Sequence, residues 1–358
     1  MPETKASTPA PTLPYEPATP TYNPPIALIG CGWVTEYHLK AYQHANLNIV
    51  AFCDCNQQRA LDRQKNFYPS AKVYTDHHEL LQRDDIEVVD IATHPAERVG
   101  LIEDALRAGK HVLSQKPFVL DLDTGERLVD LADKVNRKLA VNQNGRWAPH
   151  FSYLRHLVAQ GHLGEMMAAH LTASWDHNWT AGTPFDNIRH LLLYDFAIHW
   201  FDIVTQFIPN QKPQQVFAAI RHAPQQRSKP ALLGQVMIEF SHALATLALD
   251  GSTPIGPWDT TYLAGTAGSA RSEGPDLNAQ TITLTAKDGI ATPKLEGSWF
   301  REGFQGTMAE LLSSIEENRT PNNNARDNLT SLALCFAAIA SAETGEPQTP
   351  GAIRKPPL

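Results

Sequence analysis

The sequence predicts an α/β fold, with a doubly wound parallel sheet, followed by an α+β domain with a large, mostly antiparallel sheet. In the first half of the chain, apolar strand-like runs alternate with helical stretches, and a glycine-rich turn joins the first strand to the first helix. In the second half, β-like runs follow one another closely without helices between them, which is typical of antiparallel pairing. The 358 residues are enough for two cores of ordinary size.

The composition and charge exclude several classes of protein. Hydrophobic residues make up 42% of the chain and charged residues 19%, which is typical of a soluble globular protein. The net charge of −8 and the lack of a long basic run argue against a nucleic-acid surface and favour small polar partners. No apolar run approaches the roughly 18 residues that cross a membrane, so no membrane partner is expected.

Both ends of the chain are predicted to be tails. Residues 1–25 are rich in Pro, Thr and Ala, lack the apolar segment of a secretory signal, and are expected to be disordered. Residues 346–358 are expected to form a Pro-rich C-terminal tail. The four cysteines have no metal-ligand spacing and no disulfide density, so reduced thiols and a cytoplasmic location are expected.

A glycine-rich turn opens the first predicted domain, residues 26–145. The apolar run 26–29 is typical of a buried parallel strand, and Gly30 and Gly32 then form a tight turn into a helix. Such a turn directs backbone N–H groups at an anion, and Thr35 stands where a small third residue is usual. The predicted cofactor-binding residues of this turn are Gly30, Gly32, Trp33 and Val34.

The second predicted strand, NIVAFCDCN, ends in Asp54, at about the spacing from the glycines that a dinucleotide site requires. A carboxylate there accepts hydrogen bonds from both ribose hydroxyls and repels a 2′-phosphate. NAD is therefore favoured over NADP as the cofactor. The alternative is an exposed aspartate that caps a turn.

Further strands are predicted at 88–93, 111–115 and 139–143, separated by helical stretches. In a doubly wound sheet, the ligand binds outside the carboxyl ends of the strands, so residues at these ends converge on one crevice. The strand ends add Asp54, Thr93, His94, Gln115 and Asn144 to the predicted cofactor-binding residues.

A lysine follows the fifth strand in GKHVLSQKPF. Pro117 disfavours a helical backbone at Lys116, so the ammonium group is expected to point into the crevice, where it could hydrogen-bond a substrate oxygen. The alternative is an ordinary surface lysine in a loop.

The stretch LLLYDFAIHWFD places Asp195, His199 and Asp202 on one face of a predicted helix whose other faces are apolar. Buried Asp and His are costly unless they are paired, so the stripe is either a satisfied structural network or an acid–base pair. No metal is expected, because His190 and His199 lie about half a turn apart on such a helix.

Several of these motifs, in this order, resemble the Gfo/Idh/MocA family of nucleotide-dependent oxidoreductases, which includes glucose–fructose oxidoreductase and inositol dehydrogenase. The resemblance runs from Ile26 to at least Asp202, and its motifs are the glycine turn, Asp54, IATHP, GKHVLSQKPF, NGRWAP and the D-x-x-x-H helix. It implies an N-terminal Rossmann domain, a C-terminal domain with an open sheet that forms dimers or tetramers, and the catalytic residues Lys116, Asp195 and His199.

Three positions depart from the family's pattern. Gln115 stands where a Glu is usual, Arg98 where a His is frequent, and Thr35 where the turn usually has a smaller residue. None of these changes removes a reacting group. They are expected to affect cofactor affinity and substrate choice.

The second predicted domain covers residues 146–345 and begins with candidates for the substrate site. The loop 174–190 is dense in Trp, Asp, His, Asn and Arg, which suits a sugar or polyol; the alternative is a polar loop anchored by Trp175 and Trp179. The predicted substrate-binding residues are Lys116, Arg146, Trp147, Trp175, Asp195 and His199.

The function expected from the residues and the resemblance is an NAD-dependent dehydrogenase of a sugar, polyol or related hydroxylated molecule. One alternative is a glycosidase that retains NAD and uses transient oxidation. Another is a sensor that binds the dinucleotide without turnover. A homodimer or homotetramer is the expected assembly.

Overall fold

The computed structural model describes residues 6–356, which group into two compact units. The first unit comprises Glu16–Trp147 and Phe300–Leu329. The second unit comprises residues 6–15, Ala148–Trp299 and residues 330–356. Within the described residues, no helix is both long enough and apolar enough to span a membrane.

The first unit is built on a six-stranded parallel sheet, which confirms the predicted doubly wound fold. The strands are β1 (Ile26–Ile29), β2 (Ile49–Cys53), β3 (Lys72–Tyr74), β4 (Val88–Ile91), β5 (His111–Gln115) and β6 (Leu139–Asn142). The connecting helices are α1 (Thr35–His44), α2 (Gln57–Phe67), α3 (His77–Leu81), α4 (Pro95–Arg107) and α5 (Leu122–Lys134). The strand order is β3-β2-β1-β4-β5-β6, and the reversal between β1 and β4 is where such folds bind their ligands.

The second unit is built on an eight-stranded sheet. Its helical elements are α6 (Pro149–Ala159), a π-helical turn (Leu192–Phe196) and α7 (Ile198–Phe207). Its strands are β7 (Met166–Ser174), β8 (Pro213–Arg221), β9 (Leu233–Phe240), β10 (Leu244–Asp250), β11 (Asp259–Gly265), β12 (Gly268–Gly274), β13 (Thr281–Ala286) and β14 (Gly289–Ala291). The order is β14-β13-β12-β11-β7-β10-β9-β8, and only the β7–β10 pair is parallel. The predicted mostly antiparallel sheet is confirmed.

Two C-terminal helices, α8 (Trp299–Glu316) and α9 (Ala325–Thr344), complete the described chain. The predicted second domain, 146–345, differs from the structure because Phe300–Leu329 groups with the first unit. Phe304 and Met308 of α8 are buried in the core beneath β1, and Gly306 packs so closely on Trp147 that an added Cβ would overlap the indole ring. The order of elements in the sequence therefore did not predict that α8 packs in the core of the first unit.

Residues 6–25 of the N-terminal segment make defined contacts, which differs from the disorder expected for this part of the tail. The Thr8 N–H donates to the Ile290 carbonyl at 2.9 Å, so the segment pairs with the edge strand β14. The Tyr153 hydroxyl donates to the Pro11 carbonyl at 2.8 Å. An edge strand offers unpaired backbone groups, and the segment satisfies them.

The C-terminal segment is also attached to the body of its unit. Gln348 and Val216 exchange two backbone hydrogen bonds of 2.8 Å, one in each direction. The tail predicted at 346–358 is thus held against β8 at this point. Residues 1–5 and 357–358, which belong to the two predicted tails, lie outside the described residues.

Candidate active site

The glycine turn after β1 has different requirements at its two glycines. Gly30 has φ +89°, and a Cβ added there would lie 2.8 Å from Thr93 Cγ2 at the end of β4. Only glycine tolerates both the positive φ and this close approach. At Gly32, an added Cβ would meet nothing within 4 Å, so the turn leaves open space on that side.

Alanine at these two positions is expected to have different effects. Gly30→Ala should lower the free energy of unfolding by about 1–3 kcal/mol, since it forces a side chain into a positive-φ residue against β4. Gly32→Ala should leave thermal stability nearly unchanged and weaken NAD binding, because its methyl group enters the open space beside the turn. Thermal unfolding and NAD titration by fluorescence measure both effects, and equal loss of stability in the two variants would contradict this assignment.

The turn is held by two residues that flank it. The Thr35 hydroxyl donates to the Gly32 carbonyl at 2.6 Å, so this threonine closes the turn where a smaller residue was expected. Arg63 of α2 donates to the same carbonyl at 2.9 Å and to Thr35 Oγ1 at 3.2 Å. Sequence reasoning missed Arg63, because no short motif links it to the turn. Its guanidinium lies beside the place where a pyrophosphate would be bound.

The helix that follows the turn presents an anion-binding end. Val34 occupies the N-cap position of α1, and no side chain caps the helix there. Trp33 is 65% exposed beside it. Uncapped N–H groups at a helix N-terminus bind phosphate groups, so these residues fit a dinucleotide.

Asp54 lies at the carboxyl end of β2, next to the turn. Its Oδ2 accepts the Cys31 N–H at 2.7 Å and its Oδ1 accepts the Asn56 N–H at 2.8 Å. The carboxylate is therefore oriented by both the glycine turn and its own turn. Each carboxylate oxygen can accept more than one hydrogen bond, so the predicted contact with a ribose is compatible with this capping.

A buried arginine joins the ends of β4 and β5 around Lys116. Arg98 Nη1 donates to the carbonyls of Gln115 and Pro117, and Nη2 donates to the Thr93 carbonyl. Arg98 is fully buried, and Lys116 is half-buried between the two carbonyls that Arg98 holds. The family's frequent histidine is thus replaced here by a longer side chain that fixes the backbone on both sides of the lysine.

The other strand-end residues of the first unit differ in exposure. His94 is exposed at the N-cap of α4, and Thr93 is half-buried beside it. Asn144 is buried in a 3-10 turn, where its carbonyl oxygen would lie 2.7 Å from a Cβ added at Gly303. Thr93 and His94 therefore lie just beyond the end of β4, and Asn144 lies just beyond the end of β6.

The predicted helix 191–202 is divided in the structure. Asp195 belongs to the π-helical turn Leu192–Phe196, and His199 lies in the first turn of α7. Both side chains are half-buried. Asp202 is fully buried and accepts the Ser331 hydroxyl at 2.9 Å, so the structural interpretation of the polar stripe applies to this aspartate.

Aromatic rings surround His199 in the second unit. Its ring packs edge-on against Trp299 with centroids 5.4 Å apart, and Trp200 lies 5.7 Å from Trp299. Trp175 lies 5.1 Å from Trp200, and its Nε1 donates to Asp259 at 2.9 Å. Burial raises the pKa of Asp259 to about 6. The half-buried Trp175 is therefore fixed by its indole N–H and by the contact of its ring with Trp200.

His177 was not predicted as a site residue, although it lies in the aromatic loop. Its ring stacks on Phe196 with centroids 4.1 Å apart. Burial lowers its pKa to about 4, and the carboxylates of Asp176 and Asp195 oppose this shift. His177 is therefore a neutral side chain in the electrostatic field of Asp195 at neutral pH.

The shifted pKa of His177 predicts a pH-dependent contribution to stability. The unfolded state protonates this histidine near 6.5 and the folded state near 4, so the unfolded state binds more protons between these values. The contribution is fully present above pH 6.5 and is lost as the pH falls toward 4. Urea unfolding measures the difference in the free energy of unfolding between the wild type and His177→Gln. This difference should shrink as the pH falls from 6.5 toward 4. A constant difference would contradict the shift.

Two predicted substrate-wall residues are buried inside the first unit. Arg146 is 2% exposed and donates to the Asn322 carbonyl, and Trp147 is 5% exposed against Gly306. These contacts differ from the expected position on a substrate wall. Both side chains instead pack within the first unit, against Asn322 and Gly306, because large buried side chains stabilise by packing.

Among the described residues, one group of neighbouring side chains could ligate a metal ion. Asp76, His77 and His78 could share an ion at the start of α3, and none of them was predicted as a site residue. His190, considered above as a ligand, lies 2.9 Å from Glu343 through its Nε2. This contact with Glu343 gives no support to a metal site formed by His190, Asp195 and His199.

Two family models match the chain. The model described as the oxidoreductase family, NAD-binding Rossmann fold, matches residues 25–143, and the Gfo/Idh/MocA C-terminal domain matches residues 151–271. Together they cover more than half of the chain. The protein therefore belongs to the Gfo/Idh/MocA family of oxidoreductases, and its first domain is the family's NAD-binding domain.

Relatives of known name support this membership along nearly the whole chain. D-apiose dehydrogenase of Paraburkholderia graminis is 25% identical over 89% of this chain and 88% of its own. Inositol 2-dehydrogenase of Rhizobium meliloti is 25% identical over 88% of this chain and 96% of its own.

Solved structures share the fold. An oxidoreductase from Agrobacterium radiobacter, in complex with NAD⁺, L-tartaric acid and magnesium, has a TM-score of 0.83 and 22% identity, and the match covers 92% of this chain and 99% of that one. Scyllo-inositol dehydrogenase from Lactobacillus casei, with bound NAD(H) and scyllo-inositol, has a TM-score of 0.77 and 21% identity, covering 92% and 100%.

Proposed function

We propose that this protein is an NAD-dependent dehydrogenase that oxidises a hydroxyl group of a sugar, polyol or related small molecule. The observation that carries the proposal is a lysine fixed at the carboxyl end of β5, in a chain that also supplies a half-buried Asp–His pair next to aromatic rings. Aromatic faces and polar side chains suit the apolar C–H faces and hydroxyl rims of such substrates. Relatives named for apiose and inositol act on molecules of this class.

Four side chains have proposed roles in the reaction. His199 takes the proton of the reacting hydroxyl, assisted by Asp195, and Lys116 donates a hydrogen bond to the oxygen as it becomes negative. Trp175 contributes a face to the substrate pocket. The bound NAD supplies the hydride acceptor.

The proposed cofactor residues follow from the first unit. Asp54 would bind the adenosine ribose hydroxyls, and the turn at Gly32 with the uncapped start of α1 would bind the pyrophosphate. Thr93, His94, Gln115 and Asn144 complete the set at the strand ends. A carboxylate at position 54 disfavours a 2′-phosphate, which supports NAD over NADP.

Absorbance at the reduced-nicotinamide band tests the proposal directly. Purified protein and NAD are offered a panel of aldoses, inositols, sugar acids and glycosides. A rise in absorbance with one class supports the dehydrogenase and identifies its substrate. Release of an aglycone without net reduction would replace it by a glycosidase that uses transient oxidation, and NAD binding with neither reaction would replace it by a sensor.

We also infer that the open face of the eight-stranded sheet is a contact surface between copies of this chain. A row of directly paired residues crosses this face, and it includes the exposed side chains Phe217, Met237 and Tyr262. His170 lies in the same row and stacks on Tyr262. Exposed apolar side chains grouped on one surface mark association sites, which supports a homodimer or homotetramer.

A charge in this row is expected to lower the oligomeric state. Met237→Lys places an ammonium group in this row between Phe217 and Thr246, where burying it unpaired is costly. Leu61→Lys on α2 is a matched control, since Leu61 is an exposed apolar residue away from the sheet. Sedimentation velocity should show a smaller species for Met237→Lys only. An unchanged oligomer, or a wild-type monomer, would exclude this surface.

The free cysteines support a location of the protein in a reducing compartment such as the cytoplasm. Cys31, Cys53 and Cys335 are buried and unbridged, and Cys55 is exposed and free. Burial raises the pKa of the Cys53 thiol to about 12. An exposed free thiol is suited to a reducing environment, and localisation of the tagged full chain tests this inference.

A further inference from the structure

A continuous row of hydrogen bonds lies behind the Lys116 backbone in the first unit. The Lys116 N–H donates to Gln115 Oε1 at 2.7 Å, and Gln115 Nε2 lies 2.9 Å from His38 Nε2. His38 Nδ1 lies 2.7 Å from Asp90 Oδ2, which also accepts the Tyr42 hydroxyl at 2.8 Å. All these side chains except the lysine are buried, so their polar groups must be satisfied within the protein.

The two ends of this row fix the direction of each hydrogen bond in it. The Lys116 N–H can only donate, so the Gln115 side-chain oxygen faces it and the Gln115 NH₂ group faces His38. His38 Nε2 must then accept, and its Nδ1 carries the proton that the Asp90 carboxylate accepts. The row therefore holds His38 as the neutral tautomer protonated on Nδ1.

We propose that Asp90 and Gln115 are a matched pair of positioning residues, which hold the Lys116 backbone through His38. The inference rests on the proposed role of Lys116 in the reaction. A glutamine at 115 supplies the nearer of two amide donors to neutral His38, at 2.9 Å from Nε2 against 3.4 Å for Asn142 Nδ2, whereas a carboxylate there would supply none. The buried negative charge of this region is placed at Asp90, on the far side of the imidazole from the lysine.

Arg98 holds the same segment independently of this row. It donates to the Gln115 and Pro117 carbonyls, while the Gln115 side chain accepts the Lys116 N–H between them. A change at the Gln115 side chain therefore removes one restraint on Lys116 while Arg98 retains the others. The effect is expected in the rate of the reaction more than in the folding of the unit.

The test moves the buried negative charge from position 90 to position 115. Gln115→Glu leaves His38 between two carboxylates, and we expect kcat to fall about tenfold. In Asp90→Asn combined with Gln115→Glu, both hydrogen bonds of His38 can reverse while the Lys116 N–H still donates to residue 115: the new amide donates to His38 Nδ1, and His38 Nε2 donates to the new carboxylate. The double variant should regain most of the lost kcat. Gln82→Glu, the same change on an exposed residue of the unit, is the control.

The tautomer of His38 gives a second readout that needs no substrate. Nitrogen-15 NMR of histidine-labelled protein should show Nδ1–H in the wild type and Nε2–H in the double variant. A double variant no faster than Gln115→Glu, or an unchanged tautomer, overturns the proposal. A wild type without turnover on any substrate overturns the positioning role together with the proposed function, whereas normal turnover with His38 protonated on Nε2 overturns this row alone.

Discussion

Replacing Lys116 by alanine is expected to lower kcat about a thousandfold while leaving the Kd for NAD within about threefold of the wild type. The backbone on both sides of this lysine is fixed by Arg98, so the side chain can be removed without moving β5. What is lost is the donor that stabilises the negative charge that develops on the substrate oxygen as its proton is removed. Such a contact is stronger in the transition state than in the ground state, so its loss lowers the rate more than the binding.

Single-turnover kinetics with saturating NAD and substrate measure this effect. Lys134→Ala is a suitable control, because Lys134 is exposed in the last turn of α5 and carries the same charge. Lys116→Met adds a side chain of similar length without a donor, and it should behave like the alanine variant. A wild-type rate in either Lys116 variant would exclude the lysine from the chemistry.

The architecture of the first unit could be predicted because each of its elements has a local signal. Ile26–Ile29 is a continuous apolar run, Gly30 has to be glycine at its positive φ, and Asp54 follows at the spacing of one helix and one strand. These signals depend on neighbours in the sequence. The β3 strand, only three residues long, has no such signal and was not predicted.

The features that could not be predicted depend on contacts between distant parts of the chain. Phe304 returns to the core of the first unit from more than 250 positions after β1. Arg63 contacts the glycine turn from the middle of α2, 31 positions after Gly32, and Asp90 contacts His38 from 52 positions later in the sequence. Burial of a polar residue such as Asp90 is visible only once its partner is known, because an isolated aspartate in a strand reads as a surface residue.

The predicted helix 191–202 also differs from the structure, in its local geometry. A regular helix was predicted for 191–202, but a π-helical turn holds Asp195 before α7 begins. Apolar residues on most faces hide such a turn, since periodicity near 100° per residue changes little over five residues. The sequence placed Asp195 and His199 on one predicted helix, whereas the structure assigns them to two different helical elements.

His199→Asn is expected to lower kcat about 10²–10³-fold and to flatten the fall of kcat/KM at acidic pH. Asparagine keeps hydrogen-bonding groups at similar positions and cannot take a proton, so it separates proton transfer from packing against Trp299. The wild-type rate should fall as the pH drops because a protonated histidine is not a base. The kcat/KM of His199→Asn should not show this acidic fall, because water accepts the proton in its residual reaction.

The comparison with Asp195→Asn decides which residue is the base. If Asp195 only orients the imidazole, its variant should keep the acidic fall of kcat/KM with a smaller loss of rate, of about tenfold. His162→Asn, an exposed histidine of the same unit, controls for general effects of the substitution. A His199→Asn enzyme with an intact acidic fall would move the base to Asp195, because the carboxylate would then be the remaining proton acceptor of the pair.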